Sequence, residues 1–343
     1  MGFRAVVLGA SGYAGSELIR ILDRHPSLDV VAAAAHSQVG REISVRSAND
    51  SNATRSFVSI DEALDVACDV LFASLPHTKS MNLLAGYRGP RVVDLGGDFR
   101  IGRADLYERW YGTPHSRPSL LDRWTYGLTE LNRHRIAAGD RVANPGCYAT
   151  AALIGLAPLL ASGVIQASGI HIDAKSGVSG AGRAGGEGFD FCSANENVRP
   201  YGVTGHKHIA EIEQELGKVA GAEVTVSFVP HLIPMSRGLV ASFVAAPSGS
   251  FGDKDLTAVL SDAYRGEPFV RVLEPPNLPE TKRLTGTNLA EVAVRKDERT
   301  GRVLGFCAID NLGKGAAGQA VQNANLMLGL PELAGLDATS WVP

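Results

Sequence analysis

Arg4-Ala5-Val6-Val7-Leu8 runs directly into Gly9-Ala10-Ser11-Gly12-Tyr13-Ala14-Gly15 and then Ser16-Glu17-Leu18-Ile19-Arg20-Ile21-Leu22, and this stretch decides the fold. The short apolar run suits a buried parallel strand, and the segment after the glycines has helical character. Glycines 9, 12 and 15 form G-x-x-G-x-x-G between the two. The first permits a sharp turn, the second lets backbone approach a pyrophosphate, and the third allows helix to pack closely on strand. The helix N-terminus then receives the negative charge. This predicts a Rossmann-type, doubly wound α/β nucleotide domain. Its cofactor-binding candidates are Gly9, Ser11, Gly12, Tyr13, Ala14 and Gly15.

Further along, His25-Pro26 ends the helix and Leu28 to Ala35 supplies the next strand. Enzymes that prefer NAD usually offer Asp or Glu at the end of that strand to the ribose 2′-hydroxyl. Here the chain reads Ala34-Ala35-His36-Ser37, then Arg41, with no acid. Ser37 and Arg41 suit a 2′-phosphate, which favours NADP(H); the alternative is that both are ordinary loop residues. Asp69 to Ala73 leads into Ser74-Leu75-Pro76-His77, and Arg91 to Leu95 into Gly96-Gly97-Asp98-Phe99-Arg100. Ligands bind at the carboxyl ends of such strands. Arg100 therefore stands either as a contact for an anionic substrate or as a plain loop ion pair.

A chain of 343 residues is too long for one ordinary core, so two domains are expected. The predicted division places a nucleotide domain at 1–145, rejoined by a C-terminal helix at 315–343, and a catalytic and oligomerisation domain at 146–314. After the helix that follows Cys147 the pattern turns to period two. Val224, Val226 and Phe228 alternate with Thr225 and Ser227, and Leu239–Ala246, Ala290–Arg295 and Val303–Ile309 look similar. That predicts an α+β domain with a mostly antiparallel sheet. Lys175 to Tyr201 is glycine-rich and reads as a functional loop. In the last helix Ala317, Ala320, Val321, Ala324 and Leu328 form a small-residue stripe, and Gly329 and Pro331 mark its end. The helix either returns to the first domain, bringing Asn311 and Lys314 near the cofactor, or covers the second.

The net charge of −3 gives no electrostatic argument for nucleic acid or an acidic membrane. No apolar run approaches membrane-spanning length, and no signal peptide is expected. The widely spaced cysteines, Cys68, Cys147, Cys192 and Cys307, form no CxxC pair, so neither a disulfide framework nor a zinc site is expected. A reducing cytoplasm is the expected compartment.

Asn144-Pro145-Gly146-Cys147-Tyr148-Ala149-Thr150 carries the chemistry. Pro145-Gly146 forces a turn and the residues that follow are helix-compatible. Cys147 thus falls at a helix N-terminus, where unpaired N–H groups lower a thiol pKa. A buried structural cysteine is the alternative. An acid–base partner is needed, and Gly205-His206-Lys207-His208-Ile209-Ala210-Glu211 is the best source. Glu211 falls on the same side as His208 if a helix begins there, where it could orient the imidazole. A surface histidine pair is one alternative; as a metal site, H-x-H supplies too few ligands.

These motifs together resemble the N-acetyl-γ-glutamyl-phosphate reductase family of arginine biosynthesis, within the semialdehyde dehydrogenase superfamily. The resemblance rests on Gly9 to Gly15, Leu75-Pro76-His77, Gly97 to Arg100, Val142 to Pro158, Lys175 to Arg183, Gly205 to Glu211, Pro230 to Gly238 and Asp310 to Gly315. It implies NADPH-dependent reduction of N-acetyl-γ-glutamyl phosphate to N-acetylglutamate 5-semialdehyde, with release of inorganic phosphate. It further implies Cys147 as the nucleophile that becomes a thioester, His208 as the acid–base, His206 as the second choice and Glu211 as the partner. By the same resemblance Ser176, Gly177 and Arg183 line the substrate and phosphate region, with Ser176 and Gly177 also reaching the cofactor. Leu75, Pro76 and Asn311 join the cofactor site, and Arg100, Asn144, Ser179, Tyr201 and Lys207 the substrate contacts. The family implies a homo-oligomer, dimer or tetramer, with no metal.

Ser74 stands where the family usually has a larger apolar residue, and Gly97 where Ala is frequent. The rival readings are a reductase of a longer or carrier-linked aminoadipyl-type acyl phosphate, an aspartate-semialdehyde dehydrogenase, and a non-catalytic NADP-binding regulator.

Overall fold

The computed structural model describes residues 2–43, 55–183, 188–337 and 339. They divide into two compact units, one made of the described residues of 1–145 and 316–337 with 182 and 183, the other of those of 146–181 and 188–315.

The first unit alternates strand and helix: β1 (Phe3–Leu8), α1 (Tyr13–Leu22), β2 (Leu28–Ala34), α2 (Ile60–Leu64), β3 (Val70–Ala73), α3 (Ser80–Leu83), β4 (Arg91–Asp94), α4 (Ala104–Tyr111), β5 (Thr125–Tyr126), α5 (Thr129–Ala138) and β6 (Arg141–Ala143). Its sheet has the order β2-β1-β3-β4-β6-β5, parallel throughout. Because successive side chains point to opposite faces, β1 serves two cores. Ala5 and Val7 pack with Leu18, Ile19 and Leu22 of α1, whereas Val6 and Leu8 pack with Ala63, Met81 and Tyr107. The sheet is therefore covered on both faces, as its unbroken apolar strands require.

The second unit contains α6 (Cys147–Ala161), β7 (Ile170–Gly177), α7 (Phe191–Ala194), β8 (Arg199–Pro200), α8 (His208–Ala220), β9 (Val226–Ile233), β10 (Leu239–Ala245), α9 (Asp253–Ala263), β11 (Val270–Val272), β12 (Ala290–Asp297) and β13 (Arg302–Ile309). The strands form one sheet in the order β11-β12-β13-β10-β7-β9-β8. The β11–β12 and β7–β9 pairs are parallel and the others antiparallel. The expected alternation is visible in β10, where Leu239, Ala241, Phe243 and Ala245 are buried and the residues between them are not. Phe243 fits because Gly155 of α6 and Gly305 of β13 leave room for its ring; a Cβ at either would lie 2.5 Å or 1.8 Å from it. Helix α6 is apolar on all sides and buried along almost its whole length.

Two expected boundaries differ. The segment starting at Lys175 is not all loop, since β7 continues through Lys175, Ser176 and Gly177, hydrogen-bonded to β10 and β9. Residues 184–187 of that segment lie outside the described residues. The C-terminal helix does not fill 315–343 but stops where Gly329 and Pro331 mark its end. A π-helical turn over Gly313–Ala317 precedes α10 (Gly318–Met327), which Gly329, at φ 68°, follows in a left-handed conformation. Apart from 339, residues 338–343 lie outside the described residues.

Candidate active site

Helix α6 starts at Cys147 with Gly146 as its cap, at φ −76° and ψ 150°. No side chain caps this end and the first turn carries no acid, so the N-terminal dipole acts on the half-buried thiol. Anchoring comes from Thr150, whose N–H and Oγ1 both donate to the Gly146 carbonyl, at 2.8 Å and 3.1 Å.

Helix α8 starts at His208, and its first turn holds Gly146 in two ways. Glu211, only 1% exposed, accepts the Gly146 N–H on Oε1 at 2.7 Å. The His208 imidazole lies against the Gly146 Cα so closely that a Cβ there would meet Nε2 at 2.1 Å. Sequence spacing places His208 and Glu211 on one side of a helix; the structure adds that both grip the residue before the thiol. Gly315 closes in from another segment of the unit, where a Cβ would meet that of Cys147 at 2.7 Å.

An aromatic cluster stands beside these groups. The Tyr201 hydroxyl donates to that of Tyr148 at 3.1 Å, which donates to the His231 carbonyl at 3.2 Å. Burial pushes both phenols far above the usual tyrosine range, so they remain protonated donors. His206 is pushed down to about 4, first by burial and then by the Lys207 ammonium. Tyr148 went unrecognised in the sequence because its partner, His231, is distant along the chain. His231 itself reaches Asp173 at 3.1 Å, and Lys175 reaches the same carboxylate at 2.8 Å.

Ser176, Gly177, Ser179 and Asn311 form a second group in this unit. Asn311 accepts the Gly238 N–H at 2.8 Å and donates to Ser179 Oγ at 2.9 Å. Gly177 donates its N–H to the Gly238 carbonyl at 2.9 Å, and a Cβ on it would run into the Met235 carbonyl at 2.8 Å. Lys314 is fully buried over the Phe269 ring, 5.8 Å from its centroid.

In the first unit the glycine loop fits a dinucleotide. Gly9 has φ 73°, and a Cβ there would lie 2.0 Å from the Ser74 carbonyl oxygen. A Cβ on Gly15 would lie 2.3 Å from the Gly9 oxygen, so these two glycines serve packing. Gly12, the α1 cap, would meet only that oxygen at 3.4 Å among the described residues, leaving its surface open to a ligand. Ser37 and Arg41 are exposed after β2. Leu75 and Pro76 follow β3 in a loop clamped by Asp98, which accepts the N–H of Thr78 at 2.7 Å and of Met81 at 3.0 Å and the hydroxyl of Ser80 at 2.9 Å. Asp94 shares Ser80 at 3.1 Å and is pushed up to about 7 by burial. Arg183 stacks over Tyr13 at 5.3 Å. Gly97 makes room for the His77 and Tyr111 side chains, which a Cβ would meet at 2.6 Å and 2.2 Å.

Two expected substrate contacts are engaged otherwise in this structure. Arg100 donates to the carbonyls of Asn144 and Leu95, both at 2.7 Å. The Asn144 amide donates to the Ala316 carbonyl at 3.1 Å and accepts from Asn323 at 3.0 Å. Both brace the end of β6. Among the described residues no group of three or more His, Cys, Asp or Glu could hold a metal ion. Likewise no helix is long and apolar enough to cross a membrane.

Comparison with known proteins agrees with this architecture. Residues 4–139 match the semialdehyde dehydrogenase NAD binding domain, and 147–311 the semialdehyde dehydrogenase dimerisation domain. An N-acetyl-gamma-glutamyl-phosphate reductase of Desulforudis audaxviator is 47% identical over 96% of each chain. One from Pelotomaculum thermopropionicum is 44% identical over 100% of each. Among solved structures, aspartate semialdehyde dehydrogenase II of Vibrio cholerae shares the fold, with a TM-score of 0.73 and 18% identity over 96% of this chain and 99% of that one. This chain therefore belongs to the N-acetyl-gamma-glutamyl-phosphate reductases of the semialdehyde dehydrogenase family.

Proposed function

We propose that Cys147 is the nucleophile and His208 the acid–base in the NADPH-dependent reduction of N-acetyl-γ-glutamyl phosphate to N-acetylglutamate 5-semialdehyde. The observation that carries this reading is the seat of His208 Nε2 against Gly146, one residue before a thiol at an uncapped helix N-terminus. The Cys147 sulfur attacks the acyl carbon, the carbon–oxygen bond to phosphate breaks, and phosphate leaves with the electron pair. The resulting thioester sits at the start of α6, where N–H groups favour negative charge on the acyl oxygen. When bound, NADPH supplies the hydride that takes the thioester to the thiohemiacetal level. His208 protonates the oxygen as that charge develops, then takes the proton back as the carbon–sulfur bond breaks, releasing aldehyde and thiolate. Glu211 holds Gly146, and with it the start of α6, in register with His208.

Gly9, Ser11, Gly12, Tyr13, Ala14 and Gly15 would hold the pyrophosphate, and Ser37 with Arg41 the 2′-phosphate, while Leu75, Pro76, Ser176, Gly177 and Asn311 complete the cofactor's surroundings. Ser179, Arg183, Tyr201 and Lys207 would bind the substrate's anionic groups, with Arg100 and Asn144 fixing the loop before the cysteine. The chain would work as a homodimer or homotetramer in the cytoplasm. The wide spacing of Cys68, Cys147, Cys192 and Cys307, with no CxxC pair, supports a reducing compartment.

The test is the reverse reaction: reduction of NADP⁺ with N-acetylglutamate semialdehyde, with and without phosphate, beside Cys147→Ser and an NAD⁺ control. Activity that needs phosphate, NADP⁺ and the thiol is expected, and Cys147→Ser should lose essentially all of it. A folded, NADP-binding protein that is silent here but reduces a carrier-linked aminoadipyl phosphate would overturn the substrate assignment.

A further inference from the structure

Helix α8 lacks an ordinary N-terminal cap. Lys207 occupies the cap position in a helical conformation, φ −58° and ψ −29°, with no side-chain cap bond. One residue earlier, His206 turns its ring back and accepts the N–H of His208 on Nδ1 at 3.2 Å. The bond requires an unprotonated Nδ1, which leaves the hydrogen on Nε2. The His206 ring is itself walled in. Its edge-to-face neighbours are Tyr148, Tyr201 and Phe228, with centroids at 5.5, 5.6 and 5.3 Å, and His208 at 4.7 Å and 70°.

Resting on the function proposed above, we infer that His206 is a positioning residue. Its Nδ1 caps α8 on the His208 N–H, and its ring is the wall that fixes the His208 imidazole against Gly146. A side chain that must keep an unprotonated nitrogen in this bond is unsuited to carrying the reaction's proton. Burial agrees, pushing His206 down to about 4. The two histidines thus divide the labour: His208 moves the proton and His206 holds His208. Among the described residues, titratable groups near the pair include Cys147 and Tyr148 from α6, Lys207 and Glu211 at the start of α8, and Tyr201 after β8; β9 brings the Phe228 ring against His206 and the His231 carbonyl to the Tyr148 hydroxyl.

Two substitutions separate acceptor from wall. His206→Asn keeps a short acceptor for the His208 N–H, and His206→Phe keeps a ring but no acceptor. His206→Phe is expected to lower kcat on the order of 10²-fold, the scale of a misplaced catalytic group, with KM changed less than about threefold. The pH profile of kcat/KM should shift, and His206→Asn should recover most of both. A second readout needs no substrate: the pH dependence of Cys147 alkylation by iodoacetamide, with Cys147→Ser as the blank. It should shift in His206→Phe and return in His206→Asn. If the parent shows no phosphate-dependent activity, the substrate reading fails while the alkylation profile still decides the role of His206. Parent-like kinetics and alkylation in His206→Phe would overturn the proposal. So would losses in both variants as deep as in His208→Asn, because His206 would then itself be the proton carrier.

Discussion

Helices α1 and α6 begin alike and end up doing different work. Each is capped by a glycine in the same extended conformation, φ −73° and ψ 168° at Gly12, φ −76° and ψ 150° at Gly146. Neither receives a side-chain cap bond, and neither has an acid in its first turn. Both therefore present N–H groups and a positive dipole end to whatever lies beyond. The difference is what occupies the space where a Cβ would be. At Gly12 that space is open, with one backbone oxygen at 3.4 Å; at Gly146 it is filled by the His208 imidazole at 2.1 Å. On the function proposed above, the same helix start serves as a cradle where it is left open to a ligand and as a reaction site where the protein lays an imidazole against it.

The sharpest way to break this comparison is at α6. His208→Asn is expected to lower kcat by roughly 10² to 10⁴-fold, the usual scale for losing a general acid–base. Gly146→Ala should cost about 10²-fold, because φ −76° suits alanine and the atoms nearest its Cβ belong to the imidazole. Kinetics with a thermal melt decide the matter. A Gly146→Ala enzyme with parent-like kcat would show that His208 does not need its observed seat.

At α1 the same substitution should act on binding. Gly12→Ala is expected to raise KM for NADPH about tenfold, with kcat and Tm close to the parent, since its Cβ makes an ordinary contact. Gly15→Ala places its Cβ 2.3 Å from a backbone oxygen and should instead lower stability, by roughly 1 to 3 kcal/mol as overpacking does. If both variants changed only Tm, the open space at Gly12 would not be a cofactor cradle.

What the sequence revealed of these sites follows from distance along the chain. The β1–loop–α1 unit was legible because strand, glycines and helix are contiguous and each glycine's purpose is local. Cys147 was legible for the same reason, as was the shared face of His208 and Glu211. What Glu211 holds was not, because the Gly146 N–H lies 65 residues away. The end of strand β7 resembles loop in the sequence because Lys175-Ser176-Gly177 opens a glycine-rich run. Only its pairing with β10 and β9, both far downstream, reveals the alternation of buried Ile170, Ile172, Ala174 and Ser176. Arg100 and Asn144 illustrate the converse. Arg100 stands open in the sequence between a ligand contact and a loop ion pair, and Asn144 enters only through the resemblance; the carbonyls and amides that hold both are ones that spacing does not disclose.

The smallest expected effect tests how far the α1 cradle extends. Arg41 is exposed after β2, so its attraction for a 2′-phosphate acts through water and is weak. Arg41→Ala should narrow the preference for NADP⁺ over NAD⁺ in kcat/KM by no more than about tenfold, corresponding to roughly 1.4 kcal/mol. The loss should fall on KM for NADP⁺ alone, leaving the thiol chemistry at α6 untouched. Because screening at high salt shortens the reach of exposed charges, parent and variant should converge as ionic strength rises. A preference unchanged at low salt would remove Arg41 from the cofactor site and leave the discrimination to groups nearer the strand end, Ser37 first among them.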